Sequence, residues 1–190
     1  IQTGTTTELN LADFFRSNNI TYNPLPIETN AEARQGYEAG RCDVYTTDAS
    51  GLAATRAQME NPADHMVLPE IISKEPLGPL VRHGDHQWGD VVRWTLNTLI
   101  IAEELGITSA NVDEMKNSNN PEVLRVLGVE GDYGQQLGLS KDWAYNVLKA
   151  IGNYAESFDR NIGPDTPIAL QRGLNALWTD GGILYAPPFR

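Results

Sequence analysis

Two short motifs near the N-terminus contain the residue types that recognise a small charged ligand. The first motif is Gln2-Thr3-Gly4-Thr5-Thr6-Thr7-Glu8, in which Thr5 and Glu8 have the spacing of a helix capping box. Gly4 allows the backbone to approach a ligand closely. Hydroxyl groups beside the amides of a helix start would bind a carboxylate or a phosphate. The alternative interpretation is a capped helix that binds no ligand.

The second motif is Thr46-Thr47-Asp48-Ala49-Ser50-Gly51, which reads as the passage from a strand to a helix. In open parallel sheets, ligands bind beyond the carboxyl ends of the strands. Asp48 and the Gly4 loop are therefore expected on one rim, where Asp48 would take an ammonium group and the loop a carboxylate. The alternative is that Asp48 only caps its own helix.

Catalytic and metal chemistry is poorly supported. Ser50 lacks the first glycine of a nucleophile elbow. Cys42 is the only cysteine, so the chain can form neither an internal disulfide nor a cysteine-rich metal site. His83 and His86 have no obvious third ligand. No catalytic group, metal or cofactor is expected.

The charge balance excludes several classes of partner. The chain has 190 residues, 25 acidic and 14 basic, for a net charge of −11. Such a field disfavours binding to nucleic acid and to anionic lipid. The most apolar run, 96–105, is interrupted by Asn97, Thr98, Glu103 and Glu104 and is too short to span a membrane.

The elements that must position these motifs change in character along the chain. Extended segments are predicted at 1–4, 21–27 and 42–47, alternating with helices at 5–17, 30–39 and 48–59. This order implies a parallel sheet with helices on its faces. Two more extended segments follow at 66–72 and 77–82. The later sequence is helical, with helices predicted at 88–105, 120–128, 140–158 and 167–178.

Four segments carry a resemblance to a known family: 2–12, 40–48, 77–85 and 182–189. They resemble family 3 of the periplasmic solute-binding proteins, the amino-acid receptors of ABC importers, and within it the general L-amino acid-binding type. The resemblance covers the whole chain. It implies an α/β fold, a periplasmic-binding-protein type II lobe with a parallel-rich sheet and flanking helices, followed by a helical C-terminal region.

The resemblance also implies the domain organisation. Residues 1–76 would form lobe two, 77–82 a crossover hinge strand, and 83–190 the C-terminal helical part of lobe one plus an extension. The N-terminal part of lobe one is expected to be absent, since the chain begins with Ile1 and has no signal peptide. In the family, that part supplies an arginine for the ligand carboxylate and the aromatic walls of the pocket.

The ligand-binding set implied by the resemblance is Gln2, Thr3, Gly4, Thr5, Thr6, Thr47, Asp48 and Glu75. Thr5 and the backbone at Thr6 would bind the α-carboxylate of an amino acid, and Asp48 its α-ammonium group. Gln2, Thr3 and Thr47 would lie near the side chain of the ligand, which Glu75 would approach from the crossover. Relatives often carry a cysteine just before the first strand, which implies a disulfide to Cys42. That position would fall upstream of Ile1, so Cys42 is expected to be free here.

The function implied by the resemblance is the capture of L-amino acids in the periplasm and their delivery to the permease subunits of an ABC transporter. The implied partners are the amino acid, the permease and the absent segment of lobe one, and an apolar face of 83–190 would favour self-association. The protein would not be an enzyme. Three alternatives stay open: a periplasmic enzyme on the same fold, a ligand-sensing domain of a receptor, and a remnant that folds without binding.

Overall fold

A computed structural model describes residues 1–74 and 76–190. The chain divides into two compact units. Unit 1 comprises Ile1–Leu77 with Pro167–Leu170, and unit 2 comprises Gly78–Thr166 with Gln171–Arg190. The assignment of 77–82 as a hinge between two lobes stays a prediction.

Unit 1 contains the first three predicted helices. They are α1 (Thr6–Ser17), α2 (Asn30–Glu38) and α3 (Ala49–Ala57), followed by a 3-10 turn at Pro62–Asp64. The sequence predictions for these helices are confirmed within two residues at each end, which is the usual uncertainty of helix boundaries. The buried apolar side chains of the unit are few: Ile1, Ala33, Tyr45, Ala53 and Met59.

The parallel-rich sheet is not confirmed. Within the described part of unit 1, the pairing of extended segments is limited to one parallel bridge between Gln2 and Ile27. The amide of Thr3 donates to the Ile27 carbonyl, and the amide of Ile27 to the Ile1 carbonyl, each at 2.9 Å. Pro24 and Pro26 lack amide donors and so cannot lengthen this pairing. The segment 42–47, predicted to be extended, forms no strand in the structure and includes bends at residues 43 and 47.

Unit 2 is helical, as predicted. Its helices are α4 (His86–Glu104), α5 (Val112–Met115), α6 (Pro121–Val126), α7 (Tyr133–Gln136), α8 (Trp143–Ile151) and α9 (Tyr154–Ile162). Helix α4 packs against α8 and α9. The start of α6 is as expected from the sequence, with Asn120 as the N-cap and Pro121 in the first helical position. The core of the unit includes Ile101, Ile107, Leu127 and Leu148.

The prediction of one helix over 140–158 is wrong. The chain breaks at Gly152, whose φ of 78° lies in the left-handed region that favours glycine. Asn153 then caps α9, and its side chain exchanges hydrogen bonds with Glu156 in a complete capping box. The apolar periodicity continues across the break because Leu148 of α8 lies in the core and Tyr154 of α9 packs against it.

The prediction of a final helix over 167–178 is also wrong. This region contains only 3-10 turns at Gly173–Asn175 and Trp178–Asp180. Its path is set by tertiary contacts, since Leu177 is buried and forms a parallel bridge with Leu184. Gly182 lies so close to Ala176 that an added Cβ would stand 1.9 Å from the Ala176 carbonyl oxygen. The compact loop therefore depends on that glycine.

None of the helices in the described part of the chain has the length and apolar content that a membrane crossing requires.

Candidate functional site

The first motif forms a short loop between the paired segment at Gln2 and helix α1. Gly4 turns the chain with a φ of 70°. Thr5 is the N-cap, and its hydroxyl accepts a hydrogen bond from the Glu8 amide at 3.4 Å. The same hydroxyl donates to the Gln2 carbonyl at 2.8 Å. The Thr5 side chain therefore links the residues before the helix to its first turn, as predicted from its position in a capping box.

Glu8 has a role in this loop that the sequence analysis missed. Its Oε2 atom accepts hydrogen bonds from the amide of Gly4 at 2.8 Å and from the hydroxyl of Thr3 at 3.4 Å. In a standard capping box the glutamate would instead reach the amide of the N-cap residue. The loop thus already holds one carboxylate, which satisfies the Gly4 amide.

A second junction between an extended segment and a helix lies beside the first. The Gln2 side-chain amide donates to the Glu28 carbonyl at 3.2 Å. Thr29 caps α2 by accepting from the Glu32 amide at 3.3 Å, and its hydroxyl donates to the Glu32 carboxylate at 2.8 Å. The threonine-to-glutamate spacing of a capping box was present here too, and it could have located this junction.

The third junction, between the segment 42–47 and helix α3, is connected to the start of α2 by the buried Tyr45. The hydroxyl of Tyr45 donates to Oδ1 of Asn30, the first residue of α2. Burial raises the pKa of Tyr45, an effect that the positive charge of Arg34 partly offsets. The phenol therefore stays a neutral donor at physiological pH and holds the segment before Asp48 against α2.

Asp48 occupies the N-cap position of α3, but its side chain makes no capping hydrogen bond. It is exposed, and it forms no ion pair within the described part of the chain. The alternative in which its carboxylate caps its own helix is therefore not what the structure shows. Thr47 beside it is half-buried, and Gly51 makes room for it, since a Cβ there would stand 3.3 Å from Cγ2 of Thr47.

These contacts relate the predicted site residues to one another. The loop of 2–6, the start of α2 and Tyr45 are joined at one end of unit 1, and Asp48 follows Tyr45 by three residues. Thr3, Gly4 and Thr6 are exposed on the loop. Glu75 lies outside the described residues. The role of each residue toward a ligand stays a prediction.

Two features suit a small charged ligand: the exposed carboxylate of Asp48 and the start of helix α1. Asp48 can form an ion pair with an ammonium group, and the start of α1 favours an anion. Cys42, the only cysteine of the chain, is half-buried. The ring of His65 is hydrogen bonded through Nδ1 to the Tyr37 hydroxyl at 2.9 Å. Across residues 1–74 and 76–190, no group of acidic, histidine and cysteine side chains could hold a metal ion.

The chain is similar over its whole length to two curated proteins. It is 62% identical over 192 residues to the general L-amino acid-binding periplasmic protein AapJ of Rhizobium johnstonii, and it covers 56% of that protein. It is 60% identical over 191 residues to the glutamate/glutamine/aspartate/asparagine-binding protein BztA of Rhodobacter capsulatus, again covering 56%. The chain thus spans about half the length of these relatives. No protein-family model matches it.

A solved structure agrees with these relatives. It is that of an ABC transporter periplasmic binding protein from Brucella ovis with glutathione bound. It shares 56% sequence identity with the chain at a TM-score of 0.94, and the match covers 100% of this chain and 60% of that one. The resemblance inferred from the sequence motifs is confirmed. In sequence and fold the chain corresponds to slightly more than half of an amino-acid-binding periplasmic protein of an ABC transporter.

Proposed function

We propose that the chain is part of the substrate-binding component of an amino-acid ABC importer, which captures L-amino acids in the periplasm and delivers them to the permease subunits. The observation that carries this proposal is Asp48, an exposed carboxylate at a helix start that makes no capping hydrogen bond and forms no ion pair within residues 1–74 and 76–190. The names of the relatives support it.

In this proposal Asp48 pairs with the α-ammonium group of the ligand, and the Thr5-Thr6 loop at the start of α1 receives the α-carboxylate. Gln2, Thr3 and Thr47 lie near the side chain of the ligand, as does Glu75. Residues 77–82 act as a hinge strand, and closure about it buries the ligand before the permease is engaged. The protein is a binder rather than an enzyme, because an enzyme on this fold would need a paired acid and base in the cleft.

Glutathione is a second candidate ligand, because the similar structure from Brucella ovis holds it. The γ-glutamyl end of glutathione carries a free α-ammonium group and a free α-carboxylate, like an amino acid. The same pair of contacts, Asp48 and the Thr5-Thr6 loop, would therefore hold its head group. The two candidates differ beyond this head group, where glutathione adds two amide bonds, a thiol and a second carboxylate.

The proposal also includes a partner segment. Helix α4 leaves an apolar groove open, lined by Pro79, Trp88, Val91, Val92, Thr95, Leu96 and Leu99. We propose that the part of lobe one that the relatives possess beyond this chain covers the groove in a protein of their length. In this chain alone, a second copy would cover it.

The test of the binding proposal is calorimetric titration of the protein with L-glutamate, L-glutamine, L-alanine and glutathione. Asp48→Asn should weaken binding of every ligand about 100-fold or more, since an unpaired buried ammonium costs about 3–5 kcal/mol. Asp43→Asn is the matched control, because Asp43 is another exposed aspartate of the same segment. Equal affinity of Asp48→Asn and the native protein would refute the assignment.

A further inference from the structure

The C-terminal tail exposes a contiguous set of large apolar side chains, here called the tail patch. Its members are Leu174, Trp178, Ile183 and Tyr185, which are 59%, 50%, 69% and 73% exposed. The backbone joins them, since the amide of Ile183 donates to the Leu174 carbonyl at 2.9 Å. The rings of Trp178 and Tyr185 contact edge to face, with centroids 5.6 Å apart. The aromatic pair is thus held in place before any partner arrives.

A carboxylate without an ion-pair partner borders the patch. The indole Nε1 of Trp178 donates to Oε1 of Glu104 at 3.4 Å. Glu104 is exposed and forms no ion pair with any residue of 1–74 or 76–190. Arg172 of the tail is engaged elsewhere, because it pairs with Glu103 at 2.9 Å and lies over the rings of Tyr154 and Phe158.

The aromatic pair and the carboxylate of Glu104 together suit a positively charged side chain. The faces of tryptophan and tyrosine attract a guanidinium or ammonium group, and an adjacent carboxylate adds a charge-assisted hydrogen bond. Tryptophan and tyrosine are also the residues on which protein interfaces most often depend. With a net charge of −11, the chain favours a basic protein surface over nucleic acid or anionic lipid.

We propose that the tail patch is a protein-docking site that receives an arginine or lysine side chain of the partner against Trp178 and Tyr185, paired with Glu104. The identity of the partner rests on the proposed function, in which it is the permease of the importer. The cation-binding chemistry of the patch does not depend on that function and can be tested separately.

The first experiment titrates this chain with N-acetyl-arginine amide while the indole N–H signals are followed by NMR. N-acetyl-citrulline amide, a neutral analogue of similar shape, is the control ligand. The Trp178 signal, assigned with Trp178→Phe, should shift saturably with the arginine compound only. Glu104→Gln should remove most of the shift, whereas Glu130→Gln, an exposed glutamate elsewhere in unit 2, should not. Equal responses to the two compounds would overturn the proposal.

The second experiment measures ATP hydrolysis by the membrane transporter of the importer, reconstituted in liposomes and stimulated by its own binding protein. Tyr185→Leu and Glu104→Gln should each raise the half-maximal concentration of binding protein about tenfold, with unchanged amino-acid affinity. Glu130→Gln should change neither quantity. Native-like stimulation by both patch variants would overturn the docking role. Absence of amino-acid binding by the native protein would instead refute the proposed function, and the arginine titration would still decide the chemistry of the patch.

Discussion

At the scale of single residues, Glu8 and Glu32 each lie three residues after a threonine N-cap, but they accept hydrogen bonds from different groups. Glu8 accepts from a backbone amide, that of Gly4, whereas the hydrogen bond that Glu32 accepts within the described residues comes from the hydroxyl of Thr29. The Gly4 amide has a direction fixed by the turn, whereas the Thr29 hydroxyl can rotate toward water, so the first hydrogen bond is expected to contribute more. We therefore expect Glu8→Ala to lower the free energy of unfolding by about 1 kcal/mol, and Glu32→Ala to lower it by clearly less.

Urea unfolding followed by circular dichroism measures both changes. Glu8→Gln keeps an acceptor for the Gly4 amide and should recover most of the loss. Equal losses for Glu8→Ala and Glu32→Ala would contradict this assignment. The sequence predicted that Thr5 and Glu8 interact, because the spacing of a capping box is local. It could not predict that Glu8 prefers Gly4 over Thr5, since that choice depends on the left-handed turn at Gly4.

At the scale of elements, the link between α9 and the turn after α4 depends on one carboxylate. Glu156 accepts from the amide of Asn153 at 2.8 Å and from the hydroxyl of Ser109 at 2.6 Å. Burial would raise the pKa of Glu156, but the hydrogen bonds from Ser109 and Asn153, together with Arg160, lower it overall. Since the folded-state pKa is lowered, the stability that it confers is fully present above the unfolded-state value and is lost as the pH falls through the folded-state value.

We therefore expect Glu156→Gln to be less stable than the native chain by about 1–3 kcal/mol at pH 7, and the difference to shrink as the pH falls below about 4.3. Urea unfolding at several pH values between 7 and 3 measures this. Glu114→Gln, at an exposed glutamate of α5, is the control. A difference that is constant across this range would show that the ionised carboxylate is not what stabilises the link.

Helices were easier to predict than their breaks. The apolar spacing of 3.6 residues is local and gave α1 to α4 and α6 close to their observed bounds. Gly152 interrupts the helix, but the helical spacing of apolar residues continues on both sides of it. Periodicity alone therefore predicted α8 and α9 as one helix. Strands depend on partners distant in sequence, and the segment 42–47 has the composition of a strand without forming a ladder within the described residues. The position of Asp48 after that segment was nevertheless predictable, because it rests on local helix-start chemistry.

At the scale of the whole molecule, unit 2 leaves an apolar groove on helix α4 uncovered. Helix α4 buries Ile100, Ile101 and Ala102 near its C-terminal end, whereas Trp88 near its start lies in the open groove and is 54% exposed. Apolar surface removed from water contributes roughly 25 cal/mol per Å², so a second copy that covers this groove would gain free energy. We expect this chain alone to self-associate with increasing concentration.

Light scattering across a concentration series measures the association. Trp88→Glu should shift the onset to at least several-fold higher concentration, because a charge cannot enter an apolar interface unpaired. Leu9→Glu is the matched control, since Leu9 is a 67% exposed apolar residue of unit 1 outside the groove. A native chain that stays monomeric throughout, or equal effects of the two substitutions, would show that the groove on α4 does not drive association.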